Sequence, residues 1–339
     1  MKALILSGGT GTRLRPLTYS HAKQLVPIAN KPILYYIIEK IASVGISDIG
    51  IIVGNTENDI RKAVGYGEPW GVNITYIYQQ LPLGLAHAVK TASDFLGKSS
   101  FLMILGDNLF NMDLNSFIEN FEVSRANSSL LLHKVTDPSG FGVAVVKDGQ
   151  IEKLVEKPKE NISDLIITGV YLFDNTIFNA IDEIVPSPRG ELEITDAIQK
   201  LLKTGGKVTY QIINGWWKDT GKITDVLEAN RLVLNTMDEK AITGKNVLIS
   251  SSSISGPSII GDNCKITNSH LGPYVSIGNN TTINGCNIEN SIILEGSTVE
   301  NISDRISKSL IGRYVTIEGK YESPHSISFF TGDNDVIMI

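Results

Sequence analysis

Short apolar runs alternate with amphipathic stretches over the first 235 or so residues. The runs KALILS, DIGIIVG, ITYIYQ, FLMILGD, SLLLHKV and IITGVYLF are dense in aliphatic and β-branched residues, which predicts strands. Between the first two lies NKPILYYIIEKIASVGI, where Leu34, Ile37, Ile38, Ile41 and Val44 keep helical spacing. Asn30 is its candidate cap, Pro32 falls in the first turn, and Gly45 is the terminator. Runs such as FLMIL, apolar at every position, suit strands covered on both faces. The pattern therefore predicts a Rossmann-like, mixed or mainly parallel sheet flanked by helices. Ligands in such sheets bind beyond the carboxyl ends of the strands, where the loop after KALILS and the LGDN turn both fall.

After Gly244 the pattern changes and no amphipathic helix is legible. Ile260, Ile266, Leu271, Ile277 and Ile283 recur at intervals of about six, with Gly261, Gly272, Gly278 and polar residues between them. IIGDNC, LGPYVS, IGNNTT, INGCNI and IGRYVT are variants of one hexapeptide. A parallel β-helix uses such spacing, because each face gives one aliphatic residue to a continuous core. A β-sandwich with regular turns fits less well, since so many glycines directly follow the aliphatic position. The boundary is expected at about residue 240, dividing the chain into 1–240 and 241–339.

Composition agrees with two domains: 339 residues, 42% hydrophobic and 19% charged, can bury one large core or two moderate ones. The formal net charge of -6 argues against general nucleic-acid binding, which needs a surplus of Lys and Arg. A phosphate ligand would have to meet a local basic cluster. MKALILSGG reaches glycine too soon for a signal peptide, and no later stretch is long and apolar enough to span a bilayer. The expected address is the cytoplasm, with no membrane partner. Cys264 and Cys286 are far apart and lack nearby histidines, which predicts small buried apolar residues rather than a zinc site or a disulfide.

The chemistry begins in LILSGGTGTRLRPLT. A dinucleotide fingerprint started at Gly9 would need a third glycine where Leu14 stands, and a Walker loop would need Lys-Ser or Lys-Thr where Thr12 and Arg13 stand. What remains is a loop whose amides can approach a triphosphate, backed by the permanently charged forks of Arg13 and Arg15. Asp107 in LGDN and Asp219 in WWKDTG could hold a hard cation, or could be turn formers. Lys23 reads locally as a solvated side chain, and Glu156 with Lys157 as an ordinary exposed pair. Gln79 reads locally as a polar strand end before a turn, its amide offering both a donor and an acceptor. Gly142 and Gly169 could mark strand irregularities or close approach to a ligand. His21, His87, His133, His270 and His325 form no catalytic or metal pattern and are read as structural.

Taken together, GGTGTRLRPLT, AKQLVPIANKP, QQLPLGLAHA, LGDN, FGV, EKP, ITGVYLFD, RGELEITD and WWKDTG closely resemble, in order, the sugar-1-phosphate nucleotidylyltransferases. The glucose-1-phosphate thymidylyltransferases of the long form are the nearest group. The resemblance covers essentially all of residues 1 to about 235. It implies a nucleotidyltransferase domain of the GT-A-like kind followed by a left-handed parallel β-helix. It also implies Mg²⁺-dependent transfer of a nucleotidyl group from dTTP, with UTP as a tolerated substitute, to glucose 1-phosphate, in the making of activated deoxysugars by a homo-oligomer. In the family's pattern Leu6, Gly8, Gly9, Gly11, Thr12, Arg13, Gln24, Gln79, Pro82, Gly84 and Asp107 would line the nucleotide. Asn108, Gly142, Glu156, Lys157, Gly169 and Arg189 would hold the sugar phosphate, and Asp107 and Asp219 the metal. Arg13, Lys23, Asp107 and Lys157 would carry the catalysis.

Two other functional classes stand beside this one. A non-catalytic assembly subunit of the same fold would be expected to have lost charged residues at these positions, and here all are present. An additional acyltransferase site in the β-helix would rest on His270, the only histidine among the clear repeats, in a domain short for such a site.

Overall fold

The computed structural model describes residues 1–9, 11–19, 21–237, 241–319 and 327–338. They belong to two compact units, one of Met1–Thr10 with Leu34–Asp219 and one of Gly11–Ile33 with Thr220–Ile339. The boundary expected near residue 240 falls at residues 238–240, outside the described residues.

The first unit is built on a nine-stranded mixed sheet. Strands β1 (Lys2–Leu6), β2 (Asp48–Val53), β3 (Asn73–Tyr78) and β4 (Phe101–Leu105) are parallel. Leu6 of β1 pairs with Ile52 on one side and Leu105 on the other. The chain thus builds from β1 through β2 to β3 at one edge, then returns to lay β4 on the far side of β1. Strand order reverses there, and the carboxyl ends at such a reversal open the crevice in which α/β proteins bind ligands. Beyond β4 comes the short β5 (Asn108–Phe110), and then β6 (Ser128–Lys134), β7 (Gly142–Lys147), β8 (Gln150–Glu156), β9 (Leu165–Phe173) and β10 (Val208–Ile212). β9 runs antiparallel to β4 and β6 and meets β7 at Ile166 and Val143, which makes the sheet mixed. The uninterrupted apolar runs are buried on both faces as the pattern predicts: Leu4, Ile5, Leu102 and Met103 are all inaccessible. A last short strand, β11 (Trp217–Asp219), pairs antiparallel with β5 outside the main sheet.

The first predicted helix forms as α1 (Ile33–Ser43), closed by Gly45 at φ 77°. Its start differs from the sequence pattern. Asn30 does not cap it; Ala29 and Asn30 both have positive φ and turn a hairpin of Pro27–Ile28 against Lys31–Pro32. Asparagine tolerates the left-handed conformation, and Pro32, lacking an N–H, ends a hairpin as readily as it starts a helix. Two further helices matter below, α2 (Leu85–Thr91) and α3 (Ile194–Lys203).

In the second unit the hexapeptides form the expected left-handed parallel β-helix. Its three parallel sheets stack aliphatic columns: Ile260, Ile277, Ile293 and Ile311; Ile266, Ile283, Val299 and Ile317; Leu271, Ile288 and Ile306. All of these side chains are buried. The corner asparagines Asn246, Asn263 and Asn280, each at positive φ, hydrogen-bond one another in a ladder with a 17-residue step. Cys264 and Cys286 are free thiols buried in this core, as expected. Burial raises both, Cys286 to about 11, which leaves them protonated and inert at neutral pH.

Helix α4 (Ile223–Leu234) and the Pro27–Pro32 hairpin belong to the same unit. Asn230 of α4, 1% exposed, accepts hydrogen bonds at Oδ1 from Ala29 N–H and Ser276 Oγ, each at 2.8 Å. Asn30 Nδ2 donates to Ile277 O at 2.7 Å. Nearer the C-terminus His21 Nε2 meets Asp333 Oδ2 at 2.9 Å. No helix among the described residues is long and apolar enough to cross a membrane.

Candidate active site

The β1 loop leaves the sheet at the strand-order reversal. Leu6 O accepts from Gly106 N–H at 2.9 Å and Ser7 N–H donates to Ile52 O at 2.9 Å, so Gly8 begins with its neighbours pinned on both sides. A Cβ placed on Gly54 would come within 3.1 Å of Gly8 O, and Gly9 is exposed. Beyond β3, Gln79 is held by its own N–H on Val53 O at 2.9 Å and is 9% exposed. Pro82 is exposed in the turn that leads to Gly84. Gly84 has φ 105°, and a Cβ there would lie 2.4 Å from Leu192 O, so this position accepts only glycine.

In the second unit, Gly11 at φ 64° opens a single 3₁₀ turn, Thr12–Leu14, that exposes Thr12 and Arg13. Thr18 Oγ1 donates to Gly11 O at 2.7 Å, and a Cβ on Gly11 would lie 3.0 Å from Lys23 Cβ. The Arg15 guanidinium stacks over the Tyr19 ring at 4.9 Å. Gln24, 1% exposed, keeps an Oε1 with no protein partner.

The carboxylates come from the β5–β11 ribbon. Its register sets Asp219 opposite Asn108, the residue after Asp107. Asn108 Nδ2 lies 3.4 Å from Asp107 Oδ1, while its buried Oδ1 has no partner. Trp217 anchors the ribbon by donating from Nε1 to Thr168 O at 2.9 Å, with the Phe141 ring edge-on at 5.5 Å. Gly169 follows Thr168 at φ 79°; a Cβ there would strike Leu105 Cδ1 at 2.6 Å and Asn108 Nδ2 at 2.9 Å. Among the described residues no cluster of three or more His, Cys, Asp or Glu could bind a metal alone. Two carboxylates fit Mg²⁺, which usually takes one or two from protein and the rest from phosphates and water.

A charged cluster gathers at the far end of β8. Glu156 Oε2 accepts from Thr195 Oγ1 at 2.8 Å, and its Oε1 lies 3.7 Å from Lys157 Nζ and 3.4 Å from an Arg189 guanidinium nitrogen. Arg189 is held more closely by Glu193 at 2.7 Å, which Ser187 Oγ also meets at 2.8 Å. Burial holds the Glu156 carboxyl above the ordinary carboxylate range, with the Thr195 hydrogen bond and the Lys157 and Arg189 charges acting against it. Gly142 makes room here, since a Cβ would approach Glu156 Oε2 and Thr195 Oγ1 to 2.9 Å each.

Within the first unit, therefore, the sequence-derived residues form three groups: Gly8, Gln79 and Gly84; Asp107, Asn108, Gly169 and Asp219; Gly142, Glu156, Lys157 and Arg189. Gly11, Thr12, Arg13, Lys23 and Gln24 form a fourth within the second unit. Sequence reasoning singled out RGELEITD as a motif but missed Glu193 and Thr195 as the partners that hold Arg189 and Glu156. Three carboxylates beside one arginine in that stretch were the available signal. It also missed Trp217, which fixes the ribbon. The histidines have diverse surroundings. His270 Nδ1 is 2.6 Å from Ser253 Oγ on an exposed β-helix face, burial lowers His133, His87 Nδ1 touches Gln79, and His325 lies outside the described residues.

A family model described as nucleotidyl transferase matches residues 2–236. A glucose-1-phosphate thymidylyltransferase of Streptomyces griseus is 45% identical, the alignment covering 100% of this chain and 99% of that protein. A second, from Streptomyces antibioticus, is 44% identical over 100% of this chain and 99% of that one. Among solved structures, a candidate glucose-1-phosphate thymidylyltransferase from Bacillus anthracis, in complex with sucrose, aligns with a TM-score of 0.66 at 39% identity, over 71% of this chain and 98% of that one. With the family model covering more than half of its length and full-length relatives above 40% identity, the chain belongs to the nucleotidyl transferase family.

Proposed function

We propose that this protein transfers a thymidylyl group from dTTP to glucose 1-phosphate, with Mg²⁺, giving dTDP-glucose and pyrophosphate. The observation that carries the reading is the β5–β11 register, which sets Asp219 opposite Asn108, next to Asp107, at the strand-order reversal. The choice of base and sugar follows the two Streptomyces relatives, which are named for it. UTP is the expected tolerated substitute. Residues 1–240 are assigned to transfer and 241–339 to the β-helical part.

The chemistry needs no general base. A phosphate monoester has its second pKa near about 6, so the sugar phosphate already carries an ionised oxygen at neutral pH. That oxygen forms a bond to the α-phosphorus as the bond from α-phosphorus to the bridging oxygen breaks, and the electron pair leaves with pyrophosphate. Catalysis then consists of alignment and charge stabilisation. Lys157 orients the sugar phosphate and Glu156 accepts its hydroxyls. Asn108, whose buried Oδ1 has no protein partner, offers another acceptor beside Asp107 and Gly169. Arg13 and Lys23 neutralise the triphosphate, and Gln79 with the Gly84 backbone pairs with the base. Asp107 and Asp219 would hold the metal, which when bound withdraws charge from the reacting phosphate.

A panel crossing the common nucleoside triphosphates with several sugar 1-phosphates, read by pyrophosphate release, tests this. The fastest turnover is expected for dTTP with glucose 1-phosphate in the presence of Mg²⁺. Silence with every pair would overturn the reading in favour of a non-catalytic subunit.

A further inference from the structure

Gln79 is the only side chain that the proposed function assigns to the base, and an amide can present either of two opposite faces to it. Nitrogen forward, it donates; oxygen forward, it accepts. The fold decides between them. Gln79 Nε2 lies 2.9 Å from His87 Nδ1 and 3.5 Å from Gly84 O. Rotated by half a turn, the amide would set Oε1 toward the Gly84 carbonyl oxygen, which at 3.5 Å disfavours the alternative only weakly, so the choice rests on the closer contact at His87. With nitrogen on that side, His87 Nδ1 must accept, which requires the imidazole proton on Nε2. The remaining end, Oε1, faces Gly8: a Cβ on Gly8 would come within 3.2 Å of it. His87 is carried on α2, and its partner Gln79 is tied by its main chain to β2, so both ends of the contact rest on regular structure.

We infer that His87 is a specificity-determining positioning residue: it holds the Gln79 amide with its oxygen toward the β1 loop, selecting bases that present an imide N–H. Thymine and uracil carry such a donor at N3. Cytosine has an unprotonated N3 and would set a lone pair against Oε1, an unpaired contact of the kind that a site built for hydrogen bonding rejects strongly. The inference rests on the nucleotide reading of Gln79 made above.

The test compares dTTP and CTP, with glucose 1-phosphate and Mg²⁺, in the wild type, His87→Leu and His87→Gln. Leucine removes the acceptor and lets the amide turn; glutamine returns an acceptor oxygen. The ratio of kcat/KM for dTTP over CTP is expected to fall about tenfold or more in His87→Leu, an effect of one misplaced hydrogen bond, and to recover in His87→Gln. For dTTP the loss is expected in KM more than in kcat. A purely structural role would lower both substrates together and leave the ratio unchanged, and that result overturns the inference. Should His87→Leu not fold, ¹⁵N spectra of the wild-type imidazole decide: the Nε2–H tautomer supports the inference and the Nδ1–H tautomer overturns it. Wild-type protein inactive with every triphosphate would bring down the functional reading as well, whereas an active wild type with an unchanged ratio brings down the role of His87 alone.

Discussion

Gly169 stands where any side chain would collide with Leu105 and Asn108, and its φ of 79° already disfavours one. Gly169→Ala is expected to cost about 1–3 kcal/mol in stability, measured by denaturant unfolding, and to raise KM for glucose 1-phosphate by displacing Asn108. Asp107→Asn is expected to slow pyrophosphate release at least about a hundredfold, since charge stabilisation carries most of such reactions. Wild-type rates in that variant would remove Asp107 from the metal site. Glu156 makes a prediction of opposite sign for stability. Its carboxyl is raised in the folded state, so the folded protein binds that proton more tightly than the unfolded chain does. Its contribution to stability is full below the ordinary glutamate range, near about pH 4, and is lost as pH rises through the raised value. Glu156→Gln should therefore melt at a higher temperature than wild type at pH 7.5, with the gain shrinking toward pH 4, while KM for glucose 1-phosphate rises. A variant that melts lower at pH 7.5 would show that the Thr195 and Arg189 contacts outweigh burial.

At the level of elements, periodicity revealed more than local motifs did. The aliphatic recurrence at Ile260, Ile266, Leu271, Ile277 and Ile283 was enough to read a β-helix, because each of those positions has one task, filling the column. Ile283→Ala is expected to cost about 2–5 kcal/mol there, seen as a lower melting temperature. The β5–β11 ribbon was not legible. Its strands are three residues each, and their pairing joins residues more than a hundred positions apart, which no local pattern encodes. Asn30 was misread for a related reason: its neighbours suit a helix start, and the choice of a hairpin shows only with Asn230 and Ile277 in place. Motif residues such as Glu156 and Arg189 were found, but Thr195, which holds Glu156, lies on a separate segment, and Glu193, four residues from Arg189, has several charged neighbours from which local sequence does not single it out. Asn230→Ala would leave the Ala29 N–H and the Ser276 hydroxyl without their buried acceptor, at a cost of about 1–3 kcal/mol. Faster hydrogen exchange at the Ala29 amide would report it.

For the molecule as a whole, the glycine-and-arginine loop is shared between units: Gly8 and Gly9 belong to the first, and Gly11, Arg13 and Lys23 to the second. A chain ended after Met237 would keep every strand of the nine-stranded sheet but lose the partners of His21 and Asn30. It is expected to lose exchange protection across residues 11–33 and to release pyrophosphate more slowly than the full chain; unchanged protection there would contradict the expectation. Translation gives this arrangement an order in time. Asn30 and its partner Ile277 are 247 residues apart in sequence. Every strand of the large sheet has left the ribosome before Ile277 does, β1 ahead of Asn30 and the others between the two, so a nascent chain holds a finished sheet well before the Pro27–Pro32 hairpin finds its final support. Partly made copies would then be folded in their larger part yet slow to consume nucleotide.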